Sequence, residues 1–335
     1  MKFKINLLCA SLIAAFVVAE IVARSIGNTP WQYRENDGHS AIHEVHPVLG
    51  WRLKENSTLL LPSFDPEKPD ITYTFLKDGM RKSNTSQGNA PDHRPKLIIV
   101  GGSYAQGYGL PDHESLGWQI QDRVPNLEIL NYAVGAYGTY QSLLRLQDAI
   151  THLDNTKIAI YGFIQHHESR NVAMPGWVRM LTWYSGRHFE VPYALSQPDG
   201  TLAYGKERYP TWPFRNKLAL VPVMEDAWFN FKNSGRSSLM RETTERLILD
   251  MRKTCEAENI TFYVVLLEGD DEWKKHYSEF LNNNEINVIT FPFNVPHERR
   301  IPGDGHPDGI HNARWADYLS GAIPMLSAAN DPSKN

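Results

Sequence analysis

The sequence contains very few cysteines and no large excess of charge of either sign. Cys9 and Cys255 are the only cysteines among 335 residues. Two cysteines cannot build the disulfide framework of a small secreted domain, and they exclude a zinc site of several thiolates. Because 34 basic and 38 acidic side chains leave a formal net charge of −4, the chain lacks the positive field that attracts a nucleic-acid backbone. Nucleic acid is therefore not an expected partner.

Cofactor and metal motifs are also missing. The glycine-rich segment 101–109 has Tyr108 and Gly109 where a phosphate-binding loop needs lysine and then serine or threonine, and no glycine trio has the spacing of a dinucleotide fingerprint. His167 lies in a His-His-Glu sequence, but a helical zinc pair needs a second histidine four residues later, where Asn171 stands. We expect neither a cofactor nor a metal.

One long apolar run lies at the N-terminus. Two lysines precede it, and it extends over residues 5–23. This order directs a chain into a membrane with the lysines inside. We predict that residues 1–27 form a retained single-pass anchor in a bacterial inner membrane, with the body of the protein in the periplasm or outside the cell. A Val-Val-Ala sequence before Glu20 leaves cleavage by signal peptidase open. Glu20 and Arg24 share a helix face near the outer interface, where they can pair.

Short apolar runs alternate with helical patterns over residues 96–328. Runs at 97–100, 127–130, 158–164 and 260–267 are rich in β-branched residues and end at glycine, asparagine or charge, as strands buried on both faces do. Helical periodicity separates them. The sequence therefore predicts an α/β domain with a parallel sheet covered on both sides, and ligands in such sheets bind beyond the carboxyl ends of the strands.

Two segments depart from this alternation. Residues 28–95 are polar and turn-rich, which predicts a small β-rich lead-in packed on the main domain. Residues 171–235 have no clear period and are predicted to be an insertion, which is either a functional lid or binding wall, or a satellite core under a long loop. Its aromatic residues include Trp177, Trp183, Tyr184, Trp212, Phe214, Trp228 and Phe229.

A serine follows the first predicted strand of the main domain. Ser103 lies at a strand-to-helix turn, where backbone N–H groups and the helix dipole stabilise negative charge beside its hydroxyl. A serine hydroxyl becomes a good nucleophile only when a base, usually a histidine oriented by a carboxylate, removes its proton. Segment 303–312 is rich in both residue types. Together these features indicate an acyl-transfer enzyme.

These residues resemble the conserved blocks of the SGNH or GDSL hydrolase family. Segment 101–107 (Gly-Gly-Ser-Tyr-Ala-Gln-Gly) resembles the nucleophile block, segment 131–139 the second block and segment 162–167 the third. Asp-Gly-His-Pro at 304–307 resembles the last block. The similarity covers roughly residues 96–325, and it implies a flavodoxin-like three-layer α/β sandwich. The lead-in and the membrane anchor are similar to those of exported members.

The resemblance implies a role for each site residue. Ser103 would be the nucleophile, His306 the base and Asp304 the carboxylate that orients the base. The backbone amides of Ser103 and Ala136 and the side chain of His166 would form the oxyanion hole. Ala136 stands where the family has glycine, and His166 stands where it has asparagine.

Two further positions bear on these assignments. Gly102 replaces the aspartate that usually precedes the nucleophile. Asp308 and His311 also match a family spelling, Asp-x-x-His, and remain an alternative to Asp304 and His306. We favour His306, because it precedes a proline and lies far enough before the closing helix to be in a loop.

We therefore predict an SGNH-type serine esterase that acts outside the cytoplasm. Its expected substrate is an ester, small or polysaccharide, and most specifically the O-acyl (acetyl) groups of a glycan, cleaved through an acyl-enzyme. An O-acetyltransferase using the same residues, and a non-catalytic glycan-binding protein on the same scaffold, remain alternatives. A serine hydrolase of the α/β-hydrolase type is disfavoured, because Ala105 stands where that type has glycine.

Overall fold

The computed structural model describes residues 2–32, 39–88, 93–185 and 189–329. Eleven strands lie in these ranges. They are β1 (His43–His46), β2 (Gly50–Leu53), β3 (Ser57–Leu61), β4 (Ile71–Phe75), β5 (Lys96–Gly101), β6 (Glu128–Asn131), β7 (Thr156–Ile164), β8 (Val191–Ser196), β9 (Leu202–Glu207), β10 (Thr261–Glu268) and β11 (Asn287–Thr290).

Eleven α-helices lie in the same described ranges. They are α1 (Lys2–Ser25), α2 (Ser103–Gln106), α3 (Leu116–Arg123), α4 (Thr139–His152), α5 (His167–Asn171), α6 (Pro175–Ser185), α7 (Leu220–Lys232), α8 (Met240–Ala257), α9 (Asp271–Asn283), α10 (Gly309–Ala322) and α11 (Pro324–Ala329).

A five-stranded parallel sheet forms the centre of the molecule. Its order is β11-β10-β7-β5-β6, and every neighbouring pair is parallel. All residues of β5 and β6 are buried, which explains why these strands are continuous apolar runs instead of alternating ones. The order is that of a flavodoxin-like doubly wound sheet. The predicted fold class is confirmed.

Helices cover both faces of this sheet and give the three layers. Along β5, Ile98 and Val100 point to one face, where they pack in a cluster with α4, α8 and α9. Leu97 and Ile99 point to the other face, where they pack with α3, α10 and α11. Cys255 lies in the first cluster, and burial raises the pKa of its thiol to about 12. An inert, buried cysteine is what the sequence predicts.

The lead-in and the insertion share a third core. β1 pairs with β2, β3 with β4 and β8 with β9, each pair antiparallel. Trp51 and Tyr73 of the lead-in are buried in one cluster with Tyr209 and Phe229 of the insertion. Other aromatic residues of the insertion are exposed, with exposed fractions of 39% for Trp183, 45% for Tyr184, 63% for Phe214 and 44% for Trp228. The satellite-core interpretation thus fits the buried residues of the insertion, such as Tyr209 and Phe229, and does not fit the four exposed aromatic residues.

The helix α1 is the one helix in the described ranges that is long and apolar enough to cross a membrane. The qualifying stretch is Lys4–Ser25, and its most apolar 18-residue window has no residue buried inside the protein. A signal sequence would have the same length and composition. Glu20 and Arg24 pair at 2.6 Å, as the sequence predicts.

Candidate active site

The strand β5 delivers Ser103 to the carboxyl edge of the sheet. β5 ends at Gly101, Gly102 is extended, and Ser103 is the first residue of α2. A Cβ atom on Gly101 would lie 2.7 Å from the Gly162 carbonyl oxygen of neighbouring β7. The turn therefore needs glycine at position 101, because the two strands approach closely there.

A continuous hydrogen-bond chain joins Ser103, His306 and Asp304. Ser103 Oγ lies 2.7 Å from His306 Nε2, and His306 Nδ1 lies 2.5 Å from Asp304 Oδ2. Ser103 is 6% exposed, and the side chains of His306 and Asp304 are 21% and 12% exposed. The three groups are thus withdrawn from bulk water but accessible to a small reactant.

The loop that carries His306 is fixed from several sides. The rings of Tyr104 and Tyr108 each lie 5.2 Å from the His306 ring. The backbone N–H of Ile301 donates to the His306 carbonyl oxygen at 2.8 Å. Arg300 donates to the Gly305 carbonyl oxygen at 3.0 Å and also forms an ion pair at 2.7 Å with a glutamate at the end of β10. These contacts hold the imidazole at the end of the sheet.

The alternative pair occupies a different place. Asp308 caps α10 by accepting a hydrogen bond from the His311 backbone N–H at 2.8 Å. The His311 side chain faces the core, where its ring meets Trp315 edge-on at 4.7 Å. Burial lowers the pKa of His311 to about 4. In the structure His306, and not His311, contacts Ser103.

The predicted oxyanion donors include two backbone N–H groups. Among the described residues, neither the Ser103 nor the Ala136 N–H donates a hydrogen bond to the protein. Ala136 has a φ of +71°, so it adopts the left-handed conformation that favours glycine. Its loop is tied to the serine turn, because the Val134 N–H donates to the Gly101 carbonyl oxygen at 3.1 Å.

The third predicted oxyanion donor, His166, lies just beyond the end of β7. It is exposed and directly precedes α5. Partial desolvation, together with the nearby Arg170 cation, lowers the pKa of His166. A neutral ring donates through only one nitrogen. Among the described residues the ring makes no hydrogen bond, so the structure does not tie it to Ser103.

Sequence reasoning missed the role of His167, which explains why Gly102 replaces aspartate. His167 is fully buried, and a Cβ atom on Gly102 would lie 2.6 Å from its Nε2. Any side chain at position 102 would collide with this ring. Its Nδ1 lies 2.7 Å from the hydroxyl of Tyr161, which is also 2.7 Å from Thr139 Oγ1.

A hydrogen-bond network connects His167 to the core. Asn171 donates to Thr139 Oγ1 at 2.8 Å, the hydroxyls of Thr139 and Tyr161 share a hydrogen bond, and the Tyr161 hydroxyl shares another with His167 Nδ1. Among the described residues, His167 Nε2 has no hydrogen-bond partner. Burial holds the pKa of His167 well below its ordinary value, so the ring is neutral.

A buried arginine that the sequence did not single out supports the loop after α2. Arg81 is completely buried. It donates to the carbonyl oxygens of Gln106, Gly107 and Leu110, and pairs with Asp112 at 3.4 Å. This loop carries one of the two tyrosines that contact His306. No local pattern marks such a residue, because its partners come from a distant segment.

An open cleft of about 510 Å³ begins beside the same loop. Gly109 and Ile301 are among its lining residues; the first follows the tyrosine at position 108, and the second donates to the His306 backbone. Its wall contains both polar or charged side chains and apolar ones, among them Trp118. Ser103 and His306 are not among its lining residues.

The contact between Gly102 and His167 predicts a stability change. Gly102→Ala should lower the free energy of unfolding by about 1–3 kcal/mol, because the added methyl group overpacks the buried ring. In a His167→Ala background the same substitution should cost less. Thermal or urea unfolding of the four proteins measures this coupling. Additive costs in the double variant would contradict the explanation.

The buried His311 predicts a pH dependence of stability. Its pKa is about 4 in the folded protein, against an ordinary value of 6.5, so the unfolded chain binds the proton first as the pH falls. Stability should therefore decrease from about pH 6.5 to about pH 4, by on the order of 1–3 kcal/mol for this group. His311→Phe should remove that contribution. If the unfolding free energy of both proteins fell by the same amount between these pH values, His311 would not be the cause of the loss.

No family model matches this sequence, and no curated protein matches it. Some solved structures have a similar fold. One is a putative lipolytic protein of the G-D-S-L family from Desulfitobacterium hafniense DCB-2, which is 11% identical in sequence. The match covers 69% of this chain and 100% of that chain, with a TM-score of 0.42. Another is AlinE4, an SGNH-hydrolase family esterase, at 12% identity, 72% and 100% coverage and a TM-score of 0.37.

A third similar structure is the salicylyl-acyltransferase SsfX3 from a tetracycline biosynthetic pathway, at 10% identity, 72% and 57% coverage and a TM-score of 0.31. Because these identities and TM-scores are low, no activity transfers from these proteins, and the function depends on the geometry of the site. The matched structures include SGNH and GDSL proteins, the family that the sequence motifs resemble.

Proposed function

We propose that the protein is a serine-dependent ester hydrolase, with acyl transfer to a hydroxyl acceptor as the closest alternative. The observation that carries this proposal is the hydrogen-bond chain from Ser103 Oγ through His306 to Asp304. A serine hydroxyl, a histidine and a carboxylate in this order are the parts that acyl-transfer chemistry needs.

The proposed reaction has two halves. In the first, His306 Nε2 takes the proton of Ser103 while Oγ bonds to the ester carbonyl carbon. The tetrahedral intermediate then expels the alcohol, which leaves with the proton from His306. In the second half His306 takes a proton from water, whose oxygen attacks the acyl-enzyme, and returns that proton to Ser103 as the carboxylic acid departs. Asp304 keeps the imidazole oriented and stabilises its positive charge.

Backbone donors support the proposed oxyanion hole. The N–H groups of Ser103 and Ala136 have no acceptor among the described residues, so they are available to a developing negative charge. Each such donor typically contributes on the order of 10²–10³ in rate. Ala136 adopts the left-handed backbone conformation that glycine, the residue implied by the family resemblance, adopts easily. His166, whose ring is exposed, is a third proposed donor.

The proposed substrate class is an O-acylated glycan with a short acyl group such as acetyl. The cleft lined by Gly109 and Ile301 supports this choice, because its polar and charged side chains offer hydrogen-bond partners to hydroxyl-rich groups. The ring of Trp118 in the same wall offers a flat apolar surface for a sugar face. A long acyl chain would instead need an apolar tunnel.

The proposed location is the outer surface of a bacterial inner membrane. The length and apolar composition of α1, and the lysines that precede its core, support a single span with the catalytic body outside the cytoplasm. An enzyme held there would meet envelope glycans and no cytoplasmic esters.

Single substitutions test the proposed chemistry. Ser103→Ala and His306→Ala should each lower kcat for p-nitrophenyl acetate by at least about 10³-fold, because the nucleophile or its base is lost. His311→Phe should retain activity within a few-fold. The full-length proteins are assayed in detergent, with circular dichroism to confirm folding. Equal rates for Ser103→Ala and the unsubstituted protein would favour a non-catalytic binding role.

Substitutions in the cleft test the substrate class. Trp118→Ala should lower kcat/KM for an O-acetylated oligosaccharide about tenfold more than kcat/KM for p-nitrophenyl acetate, an energy difference of about 1.4 kcal/mol. Trp183→Ala, which removes an exposed tryptophan of α6, is the matched control. Released acetate reports hydrolysis and acetylated acceptor reports transfer, and the two products are measured separately. Equal effects of the two variants would contradict a glycan site in the cleft.

A further inference from the structure

One side of α7 exposes large apolar side chains. Met224, Trp228 and Phe231 follow one another at spacings of four and three, so they lie on one helix face. Their exposed fractions are 42%, 44% and 82%. The opposite side of the same helix is buried, with Phe229 only 1% exposed. The exposed residues are thus a second apolar face that the domain core does not use.

Neighbouring segments also expose large apolar side chains. The helix α6 packs against α7 and exposes aromatic residues, and the exposed Phe214 precedes α7 in the chain. We call these exposed residues together the α6–α7 face. It comprises Met180, Trp183, Tyr184, Phe214, Met224, Trp228 and Phe231. An exposed cluster of this kind usually marks a binding surface for a protein or a membrane.

The start of α7 is attached directly to the N-terminal helix α1. The Glu20 carboxylate accepts hydrogen bonds from the Ala219 N–H at 3.0 Å and the Leu220 N–H at 2.8 Å. Arg24, which pairs with Glu20, donates to the Lys217 carbonyl oxygen at 2.9 Å. An acidic side chain of the candidate membrane span therefore caps the helix that carries the exposed face.

This attachment determines the height of α7 relative to a bilayer. Glu20 lies sixteen residues after Lys4, which is about 24 Å along a helix axis. The hydrocarbon core of a bilayer is about 30 Å thick. If Lys4 is at the inner edge of the core, Glu20 and the start of α7 lie about 6 Å short of its outer edge. Helix α7, which carries part of the α6–α7 face, therefore begins near the outer headgroups.

The composition of the α6–α7 face and its surroundings matches the headgroup layer. Tryptophan and tyrosine concentrate at this depth because their rings are apolar and their N–H and O–H groups are polar. Arg24 of α1, Arg179 of α6 and Lys217 are exposed basic residues near these segments. Arg24 pairs with Glu20 and Arg179 with Asp226, and Lys217 adds a positive charge that complements the phosphate groups of lipids.

We propose that the α6–α7 face lies in the headgroup layer of the bilayer that holds α1. This inference rests on the proposed membrane anchoring of α1. The catalytic domain is then held by two elements, the span and the surface of α7. A domain attached at two places cannot rotate freely about its linker, so the active-site cleft keeps a constant orientation to the membrane.

Fluorescence quenching in vesicles tests this contact. Full-length Phe231→Cys and Ile310→Cys are made in a Cys9→Ser background and labelled with an environment-sensitive dye. Cys255 is fully buried, so it does not react. Ile310 on α10 is a matched control, because it is an apolar residue with 65% exposure. The vesicles contain phosphatidylethanolamine, phosphatidylglycerol and a lipid with a nitroxide at a shallow acyl position, at about one protein per vesicle.

We expect a blue-shifted emission and at least about threefold stronger quenching for the label at position 231 than for the label at position 310. Equal quenching, or water-like emission at position 231, would overturn the proposal and leave the face for a protein partner. Flotation of the same vesicles reports anchoring separately. Protein that floats without quenching at position 231 refutes only the surface contact, whereas protein that does not float refutes the anchor and the contact together.

Discussion

The proposed chemistry depends on one hydrogen bond between residues 203 positions apart, from Ser103 to His306. Proton transfer tolerates errors of only a few tenths of an ångström, so both groups must be held firmly. The serine is held by a strand that is buried throughout and by the turn that follows it. The histidine is held by two tyrosine rings and by the Arg300 contacts of its loop. The sheet edge is the place where these two supports meet.

The surroundings of the serine show a structural exchange. The family resemblance implies an aspartate before the nucleophile, but here the space beside Gly102 contains the buried ring of His167. Tyr161 and Thr139 connect this ring to the core through hydrogen bonds. The absence of a side chain at Gly102 thus leaves room for the His167 ring, and the turn stays filled. This agrees with the close packing of protein interiors.

The lead-in and the insertion form a second structural unit beside the central sheet. Their shared core buries Trp51 and Phe229, while one side of α7 stays exposed. The capping contact of Glu20 joins helix α1 to this unit and not to the sheet. The insertion therefore has two roles in packing: it completes a core on one side and presents the α6–α7 face on the other.

The sequence alone was sufficient for the α/β class, because parallel strands buried on both faces must be continuous apolar runs. It was also sufficient to propose Ser103 and the C-terminal Asp-His segment, since a strand-end serine and a loop histidine leave local patterns. It left His306 and His311 as alternatives, because each follows an aspartate closely.

The tertiary structure places these histidines differently: the His311 ring packs against Trp315 in the core, whereas His306 Nε2 lies within hydrogen-bond distance of Ser103 Oγ. It also decided the roles of Arg81 and His167, which have no local signal because their partners lie in other segments. Local residue patterns specify secondary structure and short motifs. Which side chains meet depends on strand order and on how separate segments share one volume, and only the folded chain fixes these.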